Sequence, residues 1–492
     1  MSKPLKMLAF DFGASGGKAF LGILNDGKLT TEEIHRFSND PVMVRGHFYW
    51  DVLRLFHEIK QGLIKCATSG HKDITSIAID TWGVDFGLLD EKGELIGNPV
   101  HYRDSRTDGM MEEVFKIISK DEVYLQTGIQ FMSLNTIYQL YAMKKSDSAS
   151  LNNAHTLLFM PDLLNYFLTG VKTTEYSIAS TSQLLDPVKR QWNEYIFDKL
   201  DLPRNLFTNI ISSGTVVGKL SADIAQETGL GEVDVIAVAA HDTGSAVVSV
   251  PAFEENFVYI SCGTWSLMGI ESDEPIVNEK SYDLSYTNEG GALNKIRFLK
   301  NIMGLWLVQE CKRQWEREGD SISFAELEQQ ANQANPFDSF IDPDCESFVA
   351  PGNMPERIRQ YCRKTNQPVP ESKGAIVRCI MESLAMKYRV TIEGLEDILG
   401  TKIPVIHMVG GGIKDKMLCQ FTANATAREV ITGPIEATAI GNIMVQAMAL
   451  DAVDGLNEIR KIVKDSYPTT DFVPQQTEIW ETAYKKYLEI TK

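Results

Sequence analysis

Twice in this chain an apolar run halts at a turn of small residues and then resumes. The first instance is "MLAFDFGASGGKAFLGI", residues 7–23, and the second is "NFVYISCGTWSLMGI", residues 256–270. Each reads as strand, small-residue turn, strand, which points to a weak internal duplication in which both halves start with the same β-hairpin. A chain of 492 residues exceeds the size at which one hydrophobic core keeps growing, so two or three domains are expected. The stretch "VPAFEE", residues 250–255, interrupts the apolar pattern and sets a boundary near Ser249 to Glu255, giving an N-terminal domain over 1–248 and a C-terminal domain over 249–492.

Other segments place the motifs on elements. Leu53, Phe56, Ile59 and Leu63 recur at helical spacing behind Asp51, a predicted N-cap. "SIAIDTWGVDFGLLD" reads as two short buried strands around Thr81 to Gly83, and "DVIAVAA" as a buried strand running straight into "HDTGSAV". Ile376, Ile380, Leu384 and Tyr388 share one face of a helix with Gly400 as its C-cap, and "IPVIHMVGGG" leads from a strand into a glycine loop before a further helix.

Charge narrows the partners. With 66 acidic against 48 basic residues the net charge is -18, which repels phosphate backbones and anionic lipid surfaces, so neither nucleic acid nor membrane is expected. A single glycine loop can still bind a phosphate in such a protein. The N-terminal apolar run is broken by Asp11 before it reaches signal-peptide length, and no run of 18 apolar residues follows, so a soluble, cytoplasmic protein is expected. The seven cysteines lack zinc-ligand spacing and read as reduced core thiols, with Cys345 and Cys362 as one conceivable pair.

"GASGGK", Gly13 to Lys18, is not a Walker A loop: three residues, not four, separate the first glycine from the Gly-Lys pair, and a strand follows where a helix is needed. It is either a plain tight hairpin or one whose backbone N–H groups, with Ser15 and Lys18, face an anion. Asp11 beside it is a turn residue or, with phosphate present, a ligand of hydrated magnesium. Gly410 to Gly412 would let the backbone approach a nucleotide. Asp80, Trp82, Asp85, Arg103, Asp104 and Arg106 suit a polyhydroxylated ligand, or form a structural ion-pair cluster. His241 and Asp242, in "AAHDTGSAV", end the apolar run: Asp242 is a helix N-cap, a general base toward a substrate hydroxyl, or both.

"DFGASGGK", "IDTWGVDFGLLD", "GNPVHYRDSRTDG", "AAHDTGSAV", "SCGTWSLMG", "NIMGLWLVQE" and "VGGG" occur in the order found in the FGGY carbohydrate kinases, and the chain resembles that family over nearly its whole length. Lys18 stands where the family pattern leads us to expect arginine, which keeps the charge but not the bidentate geometry. The resemblance implies an α/β protein of two actin-like, ribonuclease H-like domains with ATP in the cleft between them. It implies ATP-dependent phosphorylation of a small ketose with Mg2+, and "IDTWGVDF" with "HYRDSRT" points to L-rhamnulose as that ketose. By the same resemblance Ala14, Ser15, Gly16, Gly17, Lys18, Thr264, Gln309 and Gly411 contact the nucleotide. Gly83, His241, Asp242, Thr243 and Asn301 contact the sugar, Asp242 accepts the proton, and Asp11 holds magnesium through water. Another ketose such as L-fuculose or a pentulose, and a non-catalytic actin-like sugar-sensing ATPase module, are the alternatives.

Overall fold

The computed structural model describes residues 3–254 and 256–491, so Glu255, at the edge of the expected boundary, lies outside the described residues. The chain forms two compact units. The first contains the chain up to Pro251 together with Glu271–Leu299 and Ala437–Tyr467; the second contains Ala252–Ile270, Lys300–Glu436 and the chain from Pro468 onward. A single cut between residues 248 and 249 therefore differs from the compact units, since residues 249–251 and two later segments also belong to the first.

The sheet of the first unit runs in the order Thr215–Lys219, Asp234–Ala237, Ser76–Thr81, Leu5–Gly13, Gly16–Asn25, Lys28–Ser38. Its last three strands form an antiparallel meander, closed by a tight turn at Gly13↔Gly16 and by Asp26 and Gly27 at positive φ. Ser76–Thr81 and Asp234–Ala237 add in parallel. Helices cover both faces. Val52–Thr68 packs Gly62 against the Phe10 ring, and on the other face Ala437–Ala449 sets Ile443 against Gly22. Asp51 caps the first of these as expected, accepting from Arg54 N at 3.3 Å. Its buried stripe is Val52, Leu55, Ile59, Leu63 and Cys66, and Leu53 is 61% exposed, because the sheet meets the helix about a residue further round than the 53/56 spacing implied.

The second unit repeats this opening. Phe257–Cys262 and Trp265–Ser272 form an antiparallel hairpin with Cys262↔Ser266, and Val405–Val409 pairs in parallel with the first of them. Glu429–Thr432 continues in parallel and Thr470–Phe472 closes that edge antiparallel. The predicted helix is Lys373–Leu399, with Ile376, Ile380, Leu384 and Tyr388 fully buried and Gly400 in the left-handed conformation, its N–H donating to Glu396 O. All seven cysteines are free thiols. Cys345 Sγ lies 3.2 Å from Ser347 Oγ. No helix among the described residues is long and apolar enough to cross a membrane.

Candidate active site

In the first unit, three strand ends carry the candidate catalytic groups to one edge of the sheet. Asp11 lies opposite Asp80 in parallel register and opposite Lys18 across the hairpin. Thr81 donates its N–H to Ala240 O at 2.9 Å and bridges to His241, so Asp242 follows at the same edge. Asp11, Asp80 and Asp242 are thus three interacting carboxylates. Burial holds the Asp80 carboxyl well above the usual range, and the charges of Asp11 and Asp242 push it further. Asn442 opposes this by donating to Asp80 Oδ2 at 2.6 Å.

Asp242 is the first residue of the helix Asp242–Val248, and the N-cap position belongs to His241, whose side chain makes no capping bond. The N-cap reading of Asp242 is corrected accordingly. Its Oδ1 folds back onto its neighbour, accepting from Thr243 N at 2.6 Å and Thr243 Oγ1 at 3.2 Å, with His241 Nε2 at 3.3 Å from the same oxygen. Every hydrogen bond that the carboxylate receives from described residues falls on Oδ1. Oδ2 is left to accept from a ligand, on a side chain 31% exposed. The backbone behind it is fixed by Glu175, which is fully buried. Glu175 Oε2 accepts from Ala240 N at 3.1 Å and from Ser177 Oγ at 2.5 Å, and Ser177 Oγ in turn accepts from His241 N at 3.2 Å.

The six sugar-suited residues divide. Asp80 joins Asp11, and Asp104 is a turn residue that accepts from Phe48 N at 2.8 Å and Arg106 N at 3.0 Å. Arg103 lays its guanidinium over the Tyr102 ring. Asp85 is the centre of a buried node: Oδ2 accepts from Trp50 Nε1 at 2.6 Å, Trp82 Nε1 at 3.0 Å and Tyr102 N at 3.1 Å, and Oδ1 from Gln139 Nε2 at 3.0 Å. Arg106 backs that node through Gln139 at 2.5 Å. Trp50 stacks between Trp82 and His101, with ring centroids at 4.0 and 4.1 Å.

The node holds a strained turn. Asp85 N–H donates to Gly83 O at 2.9 Å, which places Val84 at φ +66, a γ-turn conformation that a β-branched residue adopts only under constraint. Thr181 Oγ1 accepts from Val84 N at 3.0 Å and Thr136 Oγ1 donates to Val84 O at 2.7 Å, so both peptide groups are locked. Gly83, half-exposed, is what this turn presents. Replacing Asp85 with Leu is expected to orphan three buried donors, Trp50 Nε1, Trp82 Nε1 and Tyr102 N, at about 1–3 kcal/mol each, lowering the melting temperature and releasing the turn. Asp85 also predicts a pH effect. Burial raises it to about 6 from 3.8, so between those values the folded chain keeps a proton that the unfolded chain has lost, and this site's contribution to stability falls as pH rises. The stability gap between wild type and Asp85→Asn should narrow from pH 5 to pH 7 in urea titrations; a constant gap would refute the assignment.

The first hairpin turn is Ala14–Ser15, pinned by Asn39, whose Nδ2 donates to Gly13 O at 3.0 Å. Ser15 is exposed, Lys18 half-buried, and Gly17 is explained by packing, since a Cβ there would overlap the Phe37 ring. In the second unit the predicted nucleotide residues are brought together. Thr264 is in the second hairpin turn: its O accepts from Gly304 N at 3.2 Å and Trp306 N at 3.1 Å, and its Oγ1 donates to Gln309 Oε1 at 3.4 Å. The glycine triplet packs against the same turn. Gly410, at φ +91, places its Cβ direction 3.0 Å from Cys262 O, Gly412 abuts Cys262 Sγ, and Gly411 faces open space. Asn301 lies on the strand Ile296–Met303, three residues before Gly304, in the part belonging to the second unit.

Several residues of this site escaped the sequence reading. Arg297 and Glu289 contact His241, while Asn442 and Gln446, on Ala437–Ala449, hold Asp80 and Ser76 at 2.6 and 2.7 Å. The available signal was polarity inside apolar runs: the arginine of "KIRFL", and an amide pair four residues apart in "AIGNIMVQAMA". Such residues are buried only at the cost of finding partners.

Residues 6–249 match the model for the N-terminal domain of the FGGY family of carbohydrate kinases, and residues 258–450 match that for its C-terminal domain. The chain is 45% identical over 476 residues to a rhamnulokinase of Bacteroides thetaiotaomicron, covering 97% of each chain. It is 45% identical over 460 residues to a rhamnulokinase of Oceanobacillus iheyensis, covering 94% of this chain and 96% of that one. Among solved structures, gluconate kinase from Lactobacillus acidophilus superposes with a TM-score of 0.82 at 16% identity, over 99% of this chain and 98% of the other. Plasmodium falciparum glycerol kinase with ADP gives 0.77 at 14% identity, over 99% and 98%. The expected α/β fold of two actin-like domains is thereby established, and at this coverage by both domain models the chain belongs to the FGGY family of carbohydrate kinases.

Proposed function

We propose that this protein transfers the γ-phosphoryl group of ATP to the 1-hydroxyl of L-rhamnulose, giving L-rhamnulose 1-phosphate and ADP, in the cytoplasm. The observation that carries the substrate is the 45% identity to a rhamnulokinase across 97% of both chains. Asp242 Oδ2, which receives no hydrogen bond from the described residues, accepts the hydroxyl proton as the sugar oxygen bonds to the γ-phosphorus and the bond to the β–γ bridging oxygen breaks. Gly83, His241, Thr243 and Asn301 orient the ketose. The hairpin Ala14 to Lys18, Thr264, Gln309 and Gly411 bind the nucleotide, and Lys18 adds positive charge toward its phosphates.

Magnesium would be held from Asp11 through water. Converging carboxylates that repel one another suit a dication, and magnesium keeps several of its waters, so one carboxylate can hold it through water. When bound, it offsets the charge of the phosphates.

ADP release from Mg-ATP across L-rhamnulose, L-fuculose, a pentulose, aldoses and glycerol tests this reading. L-Rhamnulose should have the highest kcat/KM, by about tenfold or more over ketoses differing in a methyl group or one hydroxyl configuration. Release independent of sugar would overturn it.

A further inference from the structure

His241 stands between two charged environments. Its Nε2 is 3.3 Å from Asp242 Oδ1, and its Nδ1 is 3.0 Å from Arg297 Nη2 and 3.3 Å from Glu289 Oε2. The Arg297 side chain is fully buried, with Nε donating to Gly290 O at 2.8 Å and Nη2 at 3.2 Å from Glu289 Oε2. A guanidinium has no acceptor. The ring nitrogen that meets it at hydrogen-bond distance must therefore offer a lone pair, and the ring proton must sit on Nε2. That tautomer suits both ends of the imidazole: Nδ1 accepts from Arg297, and Nε2–H lies 3.3 Å from the negative Asp242 Oδ1. The other neutral tautomer sets Nδ1–H against the arginine donor and a bare Nε2 against a carboxylate oxygen, so both ends fail for the sake of one longer bond to Glu289. Among the described residues Glu175 also bears on His241, through Ser177 and the backbone.

We propose that Arg297 is a positioning residue: its hydrogen bond to Nδ1 holds His241 as the Nε2–H tautomer, which sets the positive end of that N–H beside Asp242 Oδ1 and leaves Asp242 Oδ2 turned to the substrate hydroxyl. The catalytic part of this inference rests on Asp242 being the proton acceptor. Thr243 supplies the other donors to Oδ1, and both come from the residue next in sequence, so they move with Asp242. His241 supplies the hold from the outside, and Arg297 with Glu289 anchors His241 to the segment 287–297. Glu289 balances the arginine's charge, which a buried guanidinium requires.

The test is 15N NMR of protein labelled at histidine, with His241 assigned by the signal that His241→Gln removes, alongside kinetics of three variants. In wild type at pH 8 the His241 signals should show an unprotonated Nδ1 and a protonated Nε2. Arg297→Met leaves Glu289 buried and unpaired and risks misfolding, so Arg297→Met/Glu289→Gln, which removes both charges together, is measured with it. In the double variant the Nδ1–H tautomer should appear, and kcat should fall about 10- to 100-fold, a part of what a positioned base contributes, with the KM for ATP unchanged. Arg297→Lys, which keeps a cationic donor, should recover part of kcat. A proton on Nδ1 in wild type, or a double variant that keeps the Nε2–H tautomer and kcat within about twofold of wild type, overturns the proposal. Failure of the underlying reading is seen separately: full activity in Asp242→Asn would remove the proton-acceptor role while leaving the tautomer measurement as it stands.

Discussion

Asp242→Asn should lower kcat by about 10²- to 10⁴-fold while leaving nucleotide affinity intact. The amide is nearly the same size as the carboxylate, so packing at the sheet edge survives. Its oxygen can take the place of Oδ1 and accept from Thr243 N and Thr243 Oγ1, with His241 Nε2 3.3 Å from that position. The amide nitrogen then occupies the position of Oδ2 and presents two N–H donors to a hydroxyl that needs an acceptor for its proton. Of the residues proposed to bind the nucleotide, Thr264, Gln309 and Gly411 belong to the other compact unit, and the hairpin Ala14 to Lys18 keeps its own turn. Calorimetric titration with ADP should match wild type while sugar-dependent ADP release collapses. Near-normal turnover would refute the assignment of the base.

Gly441→Ala should damage both stability and activity although residue 441 is outside the proposed ligand contacts. A Cβ on Gly441 would overlap the backbone carbonyl of Ser245, which lies on the helix Asp242–Val248. Main chain cannot rotate out of the way as a side chain can, so the helix or its partner Ala437–Ala449 must shift. Overpacking of this kind costs about 1–3 kcal/mol, occasionally more. The shift also moves Asp242, and a displacement of about 1 Å in a catalytic group can cost about 10²-fold in rate. Gly411→Ala is the contrasting case. Its Cβ meets open space without a left-handed backbone, so the melting temperature should hold, while the KM for ATP should rise because a methyl group now stands where the nucleotide would approach. If Gly441→Ala melts and turns over like wild type, the contact between these two helices does not position the base.

Much of the architecture was legible because it is written locally. Each hairpin is announced by an apolar run, a small-residue turn and a second apolar run, and these are short-range choices of backbone that neighbouring residues decide. The helix Lys373–Leu399 and its left-handed Gly400 follow from spacing and one glycine. Locality also limits what can be read. Leu53 and Leu55 both fit an amphipathic stripe, and only the position of the sheet buries the second and exposes the first. The polar residues of "IDTWGVDFG" and "HYRDSRTDG" gave no sign that Asp85 would be consumed by Trp50, Trp82, Tyr102 and Gln139 while Asp80 faced Asp11.

The sequence by itself determined that two strand–turn–strand hairpins would form, that glycine loops would follow strand ends, and that a histidine and an aspartate would stand at the close of a buried strand. What the tertiary structure decided is which oxygen of Asp242 is occupied, which nitrogen of His241 meets Arg297, and how tightly the helix bearing Asp242 is pressed by Gly441. Those depend on partners 56 and 196 residues away, Arg297 beyond His241 and Gly441 beyond Ser245. Hydrogen bonds and steric contacts act over a few ångströms, so chemistry assembled from distant segments has no signature in any one of them until the chain has folded.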